Sequence, residues 1–232
     1  MQISIIIPVF KEALAIGPLI QHLKNCSSIS AQQIIVVDGG STDNTISIVR
    51  EAGVTAVASP KKGRAAQMNL GASLAKGDVL YFLHADTYPP RDFVADIRNA
   101  VSKGFKAGCY RLSFDHPHWF LAANGWFTRF DVDAFRFGDQ SLFVTKELFD
   151  NAGGFNESYI VLEDQELVKR LKKKARFTVI PKTVVTSARK YKENGIYKTQ
   201  AIFFFIYILY RIGFSQSTMV KTYRRFIRQD KL

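Results

Sequence analysis

His84-Ala85-Asp86 places an imidazole and a carboxylate two residues apart at the end of an apolar run, Asp78–Leu83. In extended backbone such residues point to the same side, so both groups can reach one ion. A hard divalent cation bridging phosphate oxygens takes one or two carboxylates plus waters, which makes Asp86 the natural ligand; His84 would be a second ligand for a softer ion such as Mn²⁺. Taken alone, the triplet reads equally well as a turn cap before Pro89 beside a satisfied strand-end histidine. Earlier in the chain, Asp38-Gly39-Gly40-Ser41-Thr42-Asp43-Asn44-Thr45 sets a carboxylate, two glycines and a series of helix-capping residues after the apolar Ile34–Val37. The glycines allow close backbone approach, Ser41 to Asp43 can cap a helix, and Asp38 could accept hydrogen bonds from a base or a sugar; a capped turn without a ligand is the alternative.

The elements that must hold these residues follow from periodicity. Ile3–Val9, Ile34–Asp38, Val54–Ala58 and Asp78–Leu83 are strand-like, and Ala13–Lys24, Thr45–Ala52 and Ala65–Ala75 between them have helical period. Alternating β-branched strands and helices predict an α/β fold with a mostly parallel sheet covered on both faces, whose ligands collect at the carboxyl ends of the strands. Asp92–Lys103 continues as a helix and Ala107–Phe114 as a strand, and the aromatic- and turn-rich 115–138 reads as a substrate-specific insertion. Leu142–Val144 (strand), Lys146–Asp150 (helix), Asn151–Gly154 (turn), Asp164–Lys174 (helix) and Phe177–Ile180 (a last strand closed by Pro181) complete the domain.

At 232 residues and 47% hydrophobic content the chain can bury a core, which excludes disorder as its main description. Cys26 and Cys109 stand far apart with no paired cysteine or histidine, so neither a disulfide framework nor a cysteine-ligated zinc is expected, and a reducing, cytosolic setting fits. Met1–Pro8 reads as a strand rather than a signal peptide. The longest apolar run, Ala201–Tyr210, would span about 15 Å of helix against ~30 Å of hydrocarbon. Charge is uneven: residues 165–232 hold 17 Lys/Arg and 3 Asp/Glu, and residues 1–164 hold 15 and 17. Attraction to a polyanion follows, and the apolar stretch in the same tail favours an anionic membrane surface over nucleic acid; a solvated basic surface is the alternative.

Four motifs in order resemble one family. Ile6-Ile7-Pro8-Val9-Phe10-Lys11-Glu12, Val36 to Thr45, Gly63-Arg64-Ala65-Ala66-Gln67-Met68-Asn69 and His84-Ala85-Asp86 look like the nucleotide-sugar half of family-2 glycosyltransferases, and Glu163-Asp164 fits their later acidic pair. The resemblance implies a GT-A fold, a Rossmann-like three-layer sandwich. It also implies a nucleotide-diphospho-sugar donor (a UDP- or GDP-sugar), a Mg²⁺ or Mn²⁺ ion, and transfer with inversion. Residue by residue, it implies that Pro8 and Glu12 line the nucleotide pocket, Asp38 contacts the base, and Arg64 contacts the base or phosphate. Asp86 matches the last acid of the family's DxD motif, whose first acid is His84 here. Asp164 matches the general base; alone, two acids at a helix N-terminus are also favourable electrostatically. Arg189 stands where many members carry QxxRW, absent here, and would compensate the leaving diphosphate. Arg136-Phe137-Gly138-Asp139-Gln140 resembles a subgroup with Gly-Asp-Gln, in which Asp139 would bind donor sugar or acceptor hydroxyls.

On this reading residues 1–189 form the transferase domain, with 1–90 on the nucleotide-sugar side and 91–189 on the acceptor side. Residues 190–232 form a basic, apolar helical tail, with helices over Ile196–Phe214 and Met219–Arg228. The tail predicts a lipid-linked acceptor and peripheral attachment to the cytosolic face of a membrane; packing on the domain or a homodimer interface stays open beside it. His116, His118, Trp119, Trp126 and Phe130 could stack on a sugar or lipid, although core or lid packing is the expectation. The competing functions are a nucleotidyltransferase, disfavoured because Val9-Phe10-Lys11-Glu12 replaces a Gly-rich basic loop, and a noncatalytic nucleic-acid or membrane-binding module.

Overall fold

The computed structural model describes residues 1–133, 136 and 138–228. Its centre is an eight-stranded sheet in the order β3-β2-β1-β4-β7-β6-β8-β5. The strands are β1 (Ile3–Val9), β2 (Gln33–Asp38), β3 (Thr55–Ala58), β4 (Val79–Phe82), β5 (Thr87–Tyr88), β6 (Ala107–Phe114), β7 (Leu142–Thr145) and β8 (Phe177–Thr186). β1 to β4 are mutually parallel, β7 runs against β4 and β6, and β8 is parallel to β6. The first four strands therefore present their carboxyl ends, with Val9, Asp38 and Phe82, to one edge of the sheet.

The pleat decides which layer each strand residue joins. Ile3, Ile5, Ile7 and Val9 pack with α1 (Ala13–Lys24), α2 (Thr45–Glu51) and α4 (Phe93–Ser102) through Ile16, Leu19, Val49, Phe93 and Ile97. Ile6, Leu80 and Phe82 face the other way, onto α3 (Arg64–Leu74), α6 (Lys146–Asn151) and α7 (Glu163–Lys174). The result is the expected three-layer sandwich. α3 lies close on the sheet because its seam is small: a Cβ at Gly71 would come within 2.4 Å of Ile6 Cγ2. Cys26 and Cys109 are buried free thiols.

Two expectations are corrected. Pro181 does not close the last strand: β8 runs on to Thr186, and the register against β6 shifts between Tyr110 and Arg111, so Pro181 sits in a bulge where no amide donor is needed. The stretch 115–138, for which the sequence predicts no element, forms the helix α5 (Trp119–Phe127). His118 caps α5, its side chain accepting from the Phe120 amide. Beyond β8 come α8 (Arg189–Asn194), α9 (Ile196–Arg211) and α10 (Gln216–Phe226). α10 turns Met219, Val220, Tyr223 and the following Ile227 onto Ile206 and Leu209 of α9. Among the described residues, no helix is long and apolar enough to cross a membrane.

Candidate functional site

Two loops at the sheet edge clasp each other. After β1 the chain takes a left-handed turn at Lys11 (φ 53°), and the amides of Lys11, Glu12 and Ala13 donate to Ser41 Oγ, Thr45 Oγ1 and Asp43 Oδ2 of the loop after β2. Asp38 is consumed by its own turn: its carboxylate accepts from the Gly40 and Ser41 amides and, at 2.6 Å, from Ser41 Oγ, and it is nearly buried. Pro8 is buried in β1 opposite Val37. These two residues shape the loops rather than reach out of them.

Gln67, which the sequence motif contains without showing its purpose, locks the loops to α3. Its buried Nε2 donates to the carbonyls of Val9 (2.8 Å) and Val37 (2.7 Å), the last steps of β1 and β2. Gln67→Leu leaves those acceptors without this donor and is expected to cost about 1–3 kcal/mol, read as a lowered thermal unfolding midpoint.

The candidate site residues converge from distant parts of the chain. Arg189 Nη2 lies 3.4 Å from Glu12 Oε2 and 4.0 Å from Asp86 Oδ2, bridging two carboxylates that are 12% and 27% exposed. The Asp86 carbonyl accepts from the Ser187 amide, which fixes the Arg189 turn against the end of β4. Burial first, then the neighbouring charges of Asp139 and Glu12, push the Asp86 carboxyl above its ordinary range. This corner is therefore short of positive charge, and a carboxylate so placed fits a divalent ion that draws its remaining ligands from substrate phosphates. Among the described residues, no cluster of three or more His, Cys, Asp or Glu side chains forms a complete cage.

His84 faces Asp139 across 55 residues of sequence, Nδ1 to Oδ1 at 2.9 Å. Burial alone would lower the imidazole; the hydrogen bond and charge of Asp139 outweigh it and hold His84 above its ordinary value. Asp139 is in turn held well below the carboxylate range: burial opposes this, but the His84 bond, His84 charge, Lys190 and Arg64 prevail. Only Nε2 of His84 is then left to ligate an ion.

Asp139 belongs to a 3-10 turn, Gly138–Gln140, that closes over α7. A Cβ on Gly138 would fall 2.1 Å from Asp164 Oδ2 and 2.9 Å from His84 Cε1, so only glycine lets this turn seat against both groups. Asp164 opens α7 beside Glu163; burial, then the Glu163 charge, push its carboxyl up to about 6. Glu163 is 2% exposed and pairs with Arg64 Nε at 2.9 Å, which keeps Arg64 firmly protonated, first through Glu163's charge. Arg64 therefore neutralises one acid of the pair and leaves the other free to take up a proton. Gly138, Glu163 and Lys190 complete the site; Gly138 and Glu163 stand inside the Gly-Asp-Gln and acidic-pair motifs and Lys190 beside Arg189, but sequence reasoning gave none of the three a role of its own.

Residues 4–144 match the sequence profile of Glycosyl transferase family 2. Among curated relatives, the undecaprenyl-phosphate 4-deoxy-4-formamido-L-arabinose transferase of Edwardsiella ictaluri (strain 93-146) is 28% identical over 112 residues, 44% of this chain and 34% of the relative. The enzyme of the same name from Proteus mirabilis (strain HI4320) is 23% identical over 128 residues, 51% of this chain and 39% of the relative. The matched stretches thus cover little more than a third of these relatives. Among solved structures, the mannosyltransferase PcManGT from Pyrobaculum calidifontis, in complex with GDP-Man and Mn²⁺, superposes with a TM-score of 0.68 at 20% identity, covering 87% of this chain and 60% of that one. S. aureus TarS in complex with UDP-GlcNAc gives a TM-score of 0.69 at 16% identity, covering 99% and 74%. These likenesses establish the GT-A fold.

Proposed function

Since the chain belongs to glycosyl transferase family 2, we propose that it moves a sugar from a UDP- or GDP-sugar to an acceptor hydroxyl, with inversion and with Mg²⁺ or Mn²⁺. The observation that carries this reading is the meeting of Glu12, Asp86 and Arg189 at the sheet edge beside the Gly138–Gln140 turn, whose Gly138 abuts both His84 and Asp164. Nucleotide-sugar complexes of two structural neighbours support it.

Asp86 would hold the ion, and His84, in its neutral form, would be the second ligand; such an ion would supply charge compensation for a leaving diphosphate. Arg189, beside Glu12 and Asp86, and Lys190, whose charge acts on Asp139, supply the protein's share of that compensation. Asp139 accepts from a sugar or acceptor hydroxyl with the oxygen His84 leaves free. Asp164, with its carboxyl near 6, takes the proton from the acceptor oxygen as it attacks the anomeric carbon. Pro8 and Asp38 shape the nucleotide pocket, and Glu12 and Arg64 line it. The acceptor is lipid-linked, and transfer takes place at the cytosolic face of a membrane.

A second reading of the acceptor is favoured by the curated relatives, whose names specify undecaprenyl phosphate. There the nucleophile would be a phosphate oxygen, which is already largely deprotonated near neutrality and needs no general base. Incubating the full chain with radiolabelled UDP- and GDP-sugars, Mn²⁺ and vesicles carrying either hydroxyl lipids or polyprenyl phosphate tests both. Label in the organic phase is expected, and the vesicle type that acquires it names the acceptor. Label that stays in the nucleotide with every donor and both vesicles would contradict the proposal.

A further inference from the structure

We propose that α5 and α9 form one face that docks on an anionic lipid bilayer, with the transfer site opening beside it. This deepens the reading of a lipid-linked acceptor and rests on it for the choice of lipid as partner. The two helices lie side by side: Asn124 Nδ2 donates to Gln200 Oε1 at 3.2 Å, and the Phe120 ring packs 5.0 Å from Tyr197. α9 is divided lengthwise. Thr199, Ile206 and Leu209 are buried, and the other side carries Tyr197, Phe204, Phe205, Ile208 and then Ile212, between 39% and 64% exposed. Their spacing keeps them on one face of a helix. α5 adds Trp119, 68% exposed and in ring contact with Tyr197, and Trp126, 47% exposed. Of the insertion's aromatics, Trp119, Trp126 and Phe130 are thus exposed rather than packed in a core.

An exposed apolar face of this extent marks an interaction surface, and its charge says with what. Neither α5 nor α9 contains an aspartate or glutamate, and Lys198, Arg129 and Arg211 stand at the edges. Arg129 lies 4.2 Å over the Trp126 ring, and Arg211 donates to Tyr207 Oη at 3.0 Å. Apolar rings flanked by cations, on helices that themselves carry no carboxylate, suit the boundary between acyl chains and anionic headgroups, although Asp133 acts on Arg211 at one end of the face. A second copy of the same basic face would be repelled by it. α10, whose apolar side is spent on α9, is not the inserting element.

The face is linked to the site through α8. Gln200, which accepts from Asn124, also accepts from Tyr191 Oη at 2.8 Å, and the neighbouring Lys190 lies 5.4 Å over Phe203 of α9 while its charge acts on Asp139. A lipid whose chains rest on the face would place its headgroup beside these cations.

The chain's two tryptophans, Trp119 and Trp126, both belong to α5, so their emission reports this face alone. With no nucleotide sugar present, the full chain is mixed with vesicles of phosphatidylcholine alone or with phosphatidylglycerol. Sedimentation with the anionic vesicles, weakening with salt, is expected together with a blue shift of emission and quenching by brominated acyl chains. The double variant Phe204→Glu with Ile208→Glu should lower partitioning by more than about tenfold while its thermal unfolding midpoint stays near wild type. Sedimentation without any change in tryptophan emission would overturn the proposal. So would absence of vesicle binding, including the case in which light scattering finds a dimer that the double variant dissolves. Transfer activity does not enter these readouts, so docking can fail while the transferase reading stands, and the reverse.

Discussion

Asp164→Asn is expected to lower kcat for transfer to a hydroxyl acceptor by on the order of a thousandfold, with donor affinity roughly unchanged. The amide keeps the size of the carboxylate under Gly138 but cannot take a proton. The wild-type rate should rise with pH and level off above about 6, where the Asp164 carboxyl has lost its proton. Stability moves the opposite way. A carboxyl whose folded value is raised opposes folding when charged, so the penalty is fully present above about pH 6, fades as pH falls from there toward the ordinary carboxylate value, and is gone below it. Asp164→Asn should therefore unfold at a higher temperature than wild type near neutrality, and the difference should vanish near about pH 4. A loss of rate within about tenfold would remove Asp164 from proton transfer and favour a phosphate acceptor.

Asp86→Ala is expected to remove the Mn²⁺-dependent part of donor affinity, a loss on the order of a hundredfold, without unfolding the protein. The variant relieves a crowded carboxylate corner, and Arg189 retains Glu12 at 3.4 Å. Titration of a nucleoside diphosphate with and without Mn²⁺ reads the effect directly. Metal-dependent affinity that survives the substitution would shift the ion to Asp139.

How much of this was legible in the sequence depended on distance along the chain. Ile3–Val9, Ala13–Lys24 and Ala107–Phe114 have the bounds that periodicity predicts, because each is decided by burial on a local repeat. α5 was missed because Trp119–Phe127 is apolar around most of its circumference and gives no clean period. β8 was cut short at Pro181 because the bulge that accommodates a proline depends on the partner strand. In the site, the acids and His84 could be picked out by motif, but not their pairings. Arg189 meets Glu12 over 177 residues, and His84 meets Asp139 over 55, through the topology of the sheet. Asp38 shows the converse: its partners are two and three residues away, and those local bonds occupy the carboxylate that the motif suggested for a ligand.

A nucleotide-sugar site at the sheet edge is tested most directly by thermal unfolding of the wild-type chain with UDP, GDP, CDP and their common sugars, each with and without Mn²⁺. One nucleotide is expected to raise the midpoint in a metal-dependent way, with about 2.7 kcal/mol of added stability at a ligand concentration ~100 times its Kd. No shift with any nucleotide at saturating concentration, with or without metal, would contradict it.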